Sequence, residues 1–92
     1  MNKIMLAYDL CGEDKNYDGL IKRINQYPVH LKINKSTWLI KTCYSCSEVR
    51  DELQKLTDNN DMLFVAKLTG EAAWTKVESN SSLIKKELES DD

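Results

Sequence analysis

Apolar residues in this chain switch between two spacings, and the order of the switches restricts what it can fold into. Ile4, Met5, Leu6, Ala7 and Tyr8 form an unbroken apolar run closed by Asp9, the pattern of a strand over residues 3–9. Tyr17, Leu20, Ile21, Ile24 and Tyr27 then recur at helical spacing. Asn16 is the expected N-cap after a turn at Gly12–Lys15, and Pro28 the terminator, because proline disfavours helical geometry in the residue before it. Val29–Ile33 and Ser36–Thr42 read as two strands joined by a tight turn at Asn34–Lys35, the second strand rich in β-branched and aromatic residues. Ser45 and Glu48 have the spacing of a capping box and open a second helix with the stripe Cys46, Val49, Leu53 and Leu56. That helix stops at the polar run Thr57–Asp61, and Met62–Thr69 forms a fourth strand ended by Gly70.

The order βαββαβ belongs to the α+β class. It most often builds a ferredoxin-like antiparallel sheet, in spatial order 4-1-3-2, with two helices on one face. The expected domain spans residues 1–78, followed by a polar C-terminal tail over 79–92. Ala72–Val77 suits a short extra strand, and Asn80–Leu88 a frayed helix. Strands one and four are apolar on both faces, whereas a sheet with one solvated face should alternate. The second face is therefore expected to pack against another copy of the chain, forming a homodimer. A tail helix folded back over the sheet is the competing explanation.

With 92 residues, 41% of them apolar and 30% charged, the chain has enough for one core and is not of disordered composition. No apolar run approaches the roughly 20 residues of a membrane span. Lys3 is followed by only five apolar residues before Asp9, too few for the core of a signal peptide, so a cytoplasmic location is expected. The net charge of −2 counts against a high-affinity, sequence-independent grip on nucleic acid. Lys22, Arg23, Lys32, Lys35 and Lys41 concentrate positive charge in one stretch, for which a solvated surface is the plainer reading.

Asp9 is the leading candidate for chemistry, because a carboxylate closing an apolar strand must be solvated, paired or used. In the 4-1-3-2 order, the end of strand one lies beside the starts of strands three and four, which brings Asp9 near Ser36 and Asp61. Asp9 shares a face with Met5 and Ala7. If that face joins two copies, two Asp9 carboxylates meet near the twofold axis, where they would bind Mg²⁺ or Mn²⁺ or share a proton. A hard cation there would activate water against a phosphodiester. In the competing reading, Asp9 caps the following turn and accepts from the Cys11 or Gly12 amide.

Cys43-x-x-Cys46 sits at a strand-to-helix junction, but Cys46 lies on the helix's apolar stripe and reads as a small core residue. Cys11 and His30 would complete a nominal zinc set, which the topology splits between the two ends of the sheet. Three free thiols fit a reducing compartment. His30 reads as a surface or boundary residue. Trp38 and Trp74 either stack on bases or fill a core or dimer seam.

Four blocks carry a resemblance: Ala7–Leu10, Ser36–Thr42, Glu48–Leu53, and Asn60–Val65 followed by Thr69-Gly70. Together, over roughly residues 3–75, they resemble the SinR-like family, which is related to CRISPR-associated protein 2. The resemblance implies a ferredoxin-like fold, a homodimer through the sheet face, and a C-terminal strand that adds to the partner's sheet edge. It implies a Mg²⁺-dependent nuclease in which the strand-one aspartate is metal ligand and catalytic residue, a role that carries over only to Asp9. It also allows a non-catalytic DNA-binding scaffold. The acidic pI and the sparse arginine, Arg23 and Arg50 alone, depart from a protein that grips duplex DNA. Two functions are thus expected: a metal-dependent endonuclease acting on RNA or DNA, or a non-enzymatic module that binds a nucleotide, a nucleic acid or a protein partner in the dimer cleft.

Overall fold

A computed structural model describes residues 1–11 and 17–90. The elements are β1 (Asn2–Asp9), α1 (Asp18–Ile24), β2 (Val29–Asn34), β3 (Thr37–Thr42), α2 (Cys46–Gln54), β4 (Met62–Lys67) and α3 (Ser81–Glu89). They make a small α+β fold whose four antiparallel strands lie in the order β2-β3-β1-β4, which is 4-1-3-2 when read from β4.

Local chemistry accounts for most of the boundaries. Ser45 Oγ accepts from the Glu48 amide at 3.2 Å and a Glu48 carboxylate oxygen accepts from the Ser45 amide at 3.0 Å, so the capping box opens α2 as expected. The helix ends at Gln54, which leaves Leu56, expected on its stripe, beyond the last turn and exposed. Asn16 and the turn Gly12–Lys15 lie outside the described residues; α1 begins at Asp18. A register shift between Lys32 and Asn34 marks a bulge in β2 next to the hairpin turn.

Period-two alternation sorts the sheet into two faces. Ile4, Leu6, Tyr8, Trp38 and Ile40 face α1 and α2, and pack with Leu20, Ile24, Val49 and Leu53 into the main core. The opposite face carries Met5 and Ala7 on β1 and Leu39 and Lys41 on β3. Here a third helix replaces part of the cover expected from a second copy. Ile84 and Leu88 of α3 pack with Leu39 into a second apolar cluster, joined by Leu31, Ile33, Leu68, Trp74 and Val77.

The segment between β4 and α3 does not form the extra strand expected over Ala72–Val77. Gly70 adopts φ 118° and Lys76 φ 55°, and these two left-handed turns take the chain off β4 and across the second face. The Glu78 amide then donates to the Ile33 carbonyl at 3.1 Å, and Ser79 Oγ to the Lys32 carbonyl at 2.6 Å, both on the β2 edge. Asn80 Oδ1 caps α3 by accepting from the Ser82 amide.

Charge seats the far end of α3. Lys41 is only 2% exposed on the sheet, and its Nζ lies 2.7 Å from a Glu87 carboxylate oxygen. Lys3, directly opposite Lys41 across β1 and β3, donates from Nζ to the Leu88 carbonyl at 2.6 Å. A cation at that position also complements the negative end of the helix dipole.

Candidate functional site at the end of strand one

The sheet brings Asp9, Ser36 and Asp61 to one end, as the sequence predicts. Asp9 is in register with Met62, so Asp61 lies one residue beyond it, and the Tyr8 amide donates to the Ser36 carbonyl at 3.0 Å. The three nevertheless have different roles. Asp61 Oδ1 accepts from the Cys11 amide at 2.8 Å, Oδ2 accepts from the Asp58 amide at 2.7 Å, and the Tyr17 hydroxyl donates to the same carboxylate. Asp61 therefore ties together the end of β1, the start of α1 and the turn before β4. The Cys11 amide, one of two expected to bond Asp9, goes to Asp61 instead, and Gly12 lies outside the described residues. The Ser36 amide donates to Asn34 Oδ1 at 2.9 Å and tightens the hairpin turn.

Asp9 itself is exposed and has no hydrogen-bond or ion-pair partner among the described residues. It lies on the second face in line with Met5 and Ala7, at the opposite end of β1 from Lys3, which bonds the end of α3. Across β4 from Asp9 and Ala7 stand Met62 and Phe64, exposed at 48% and 54%. A solvated carboxylate thus borders a strip of uncovered apolar side chains on an edge strand. Around the edge of β4, a groove of about 600 Å³ is bordered by Leu63, Phe64 and Val65 and by Ser45, Cys46 and Arg50 at the start of α2. Arg50 is already paired with Asp51 at 3.0 Å.

Asp9 offers oxygen donors alone, which suits a hard cation. Among the described residues, no three His, Cys, Asp or Glu side chains gather into a metal-binding group. Cys43 is exposed and Cys46 half-buried against the main core, both as free thiols. His30 is exposed, with Nδ1 3.1 Å from the Tyr27 carbonyl.

Both tryptophans take part in packing within the chain. Trp38 is buried and donates from Nε1 to the Tyr8 hydroxyl at 3.1 Å; Trp74 packs in the second cluster and donates to Ser81 Oγ at 3.3 Å. Three of the five cations between positions 22 and 41 are engaged. Arg23 lies over the Tyr27 ring, Lys32 over the Trp38 ring, and Lys41 pairs with Glu87. Sequence reasoning missed the Lys41–Glu87 pair, although its signal was present. Lys41 alternates with Leu39 on one strand face, and Glu87 falls between Ile84 and Leu88 on one helix face.

Comparison with protein-family models, with curated proteins and with solved structures finds no match. No described helix is long and apolar enough to cross a membrane.

Proposed function

We propose that the protein acts as a homodimer assembled on the exposed Asp9, Met62 and Phe64 end of its second sheet face, with the two Asp9 carboxylates forming a divalent-cation site for phosphodiester cleavage of RNA or DNA. The observation that carries this reading is the placement of an unpartnered Asp9 beside exposed Met62 and Phe64. Large apolar side chains on an edge strand are normally covered by a partner, and a second copy supplies the second carboxylate. One or two carboxylates suffice for Mg²⁺, which keeps several waters and takes further oxygens from phosphate. Bound there, the cation would polarise the phosphoryl group and supply hydroxide. Asp9 would hold it, and Asp61, already saturated, would fix the loop beside it.

The strand order, with α1 and α2 on one face, supports the finer assignment of the fold as ferredoxin-like, with α3 as an addition. The resemblance to the SinR-like family, and through it to CRISPR-associated protein 2, supports the same dimer and metal role.

A second reading has one observation in its favour. The described part of one chain gathers no metal-binding cluster, so the open strip also suits a non-enzymatic module that binds nucleic acid, a nucleotide or a protein.

Sedimentation equilibrium at micromolar concentration tests the assembly. The proposal predicts twice the 10.6 kDa of one chain, and a single-chain mass for Phe64→Asp, which would bury an unpaired charge in the interface. A single-chain mass for the unmodified protein would remove the paired site.

A further inference from the structure

An apolar cavity of about 170 Å³ lies between the second sheet face and the chain that crosses it. Met5 and Leu39 line it from the sheet, Ala72, Ala73 and Trp74 from the crossing segment, and Ile84 from α3. It is open to solvent on one side, with Ala72 and Ala73 exposed at its rim. The crossing segment is held at both ends. The Leu68 amide donates to the Lys3 carbonyl at 2.8 Å, Glu78 and Ser79 bond the β2 edge, and the ion pair of Lys41 with Glu87 seats α3. Between those anchors, the exposed residues Ala72 and Ala73 carry only methyl side chains, so the crossing segment is fixed at its ends without filling the pocket.

The lining also restricts what fits. No charged residue lines the cavity, and the Trp74 indole N–H is used on Ser81. Thr37 alone contributes a hydroxyl. A charged ligand would lose its hydration without gaining a partner. An apolar ligand would displace water that finds few polar contacts on this lining, and an apolar space of about 150 Å³ is enough to take up benzene. We propose that this cavity is a binding site for a small uncharged aromatic molecule of single-ring size. The site is independent of Asp9: it takes Met5 from the middle of β1, whereas Asp9 lies at that strand's end.

The three methionines provide the assay. Met5 lines the cavity, while Met1 and Met62 are exposed and report non-specific contact. In protein labelled at the methionine methyls, titration with benzene should shift the Met5 resonance to saturation and leave Met1 and Met62 nearly unmoved. Benzoate, the same ring with a charge, should produce no saturable shift. Ala72→Leu and Ala73→Leu, each filling part of the void, should weaken benzene binding at least tenfold. Should either variant fail to fold, the contrast between benzene and benzoate on the unmodified protein still decides. A Met5 shift that is linear and matched by Met1 and Met62, equal binding of benzoate, or unchanged benzene affinity in folded variants would each overturn the proposal.

Discussion

Truncating Glu87 to alanine should loosen the C-terminal helix far more than an ordinary surface ion pair could. The structural reason is asymmetry of burial: the Lys41 side chain is 2% exposed, whereas Glu87 remains 20% exposed. Removing Glu87 strands an ammonium on an apolar sheet face, and breaking a buried pair in this way costs about 3–5 kcal/mol. The chain has an exit, since lifting α3 rehydrates Lys41 and sacrifices the burial of Ile84 and Leu88. The cost is therefore bounded by the free energy that seats α3, and we expect about 2–3 kcal/mol to be lost there. Amide hydrogen exchange at Ile84 and Leu88 measures that loss directly, with the β1 and β3 amides as internal reference. Lys41→Met provides the converse. It leaves a carboxylate that water can still reach and adds an apolar side chain beside Leu39, so it should cost under about 1 kcal/mol. Equal losses in the two variants, or a loss below about 0.5 kcal/mol for Glu87→Ala, would place the pair among exposed salt bridges and refute the reasoning.

Other perturbations follow from the same contacts. Tyr27 is 3% exposed and its hydroxyl has no hydrogen-bond partner among the described residues, so Tyr27→Phe should raise stability by about 1 kcal/mol in urea denaturation; a clear loss would mean the hydroxyl is satisfied. Burial also holds the Tyr27 phenol above its ordinary value, against the opposing pull of Arg23. Its contribution is therefore complete below the ordinary tyrosine range near about 10 and is lost as the pH rises through the raised folded value, an alkaline decline that Tyr27→Phe should flatten. Asp61→Ala releases the Cys11 and Asp58 amides and the Tyr17 hydroxyl, and should cost about 1–3 kcal/mol with increased exchange at the end of β1; a neutral substitution would show that Asp61 does not organise this corner.

The parts of this fold that could be read in the sequence are those fixed by short-range periodicity. The strand run ending at Asp9, the stripe Leu20–Ile24, the Ser45–Glu48 box and the hairpin turn each follow from residues within about one or two helical turns or strand steps of one another. The two-sided apolar character of β1 and β4 led to a second copy as the expected cover, with a tail helix as the alternative; α3 packs on part of that face around Leu39, while Met62 and Phe64 of β4 stay exposed. That outcome depends on Lys3 and Lys41 meeting the end of a helix more than forty positions away from Lys41 in the chain. Gly70 marked the end of the fourth strand, whereas the turn at Lys76 was hidden, since a non-glycine residue at positive φ leaves no pattern in sequence. At the candidate site, proximity of Asp9, Ser36 and Asp61 was legible from strand order. Which aspartate captures the Cys11 amide was not, because both sit within reach of the same loop and only the turn at Asp58–Asp61 selects between them.

The central proposal is a cation site made by Asp9, and it is tested most directly by cleavage of single- and double-stranded RNA and DNA with Mg²⁺, Mn²⁺ or EDTA, run with the unmodified protein beside Asp9→Asn. The account predicts cutting that requires the metal, stops with EDTA and disappears in the variant while the dimer persists. No cutting by the unmodified protein, or equal cutting by both, would contradict it and leave Asp9 without a catalytic role.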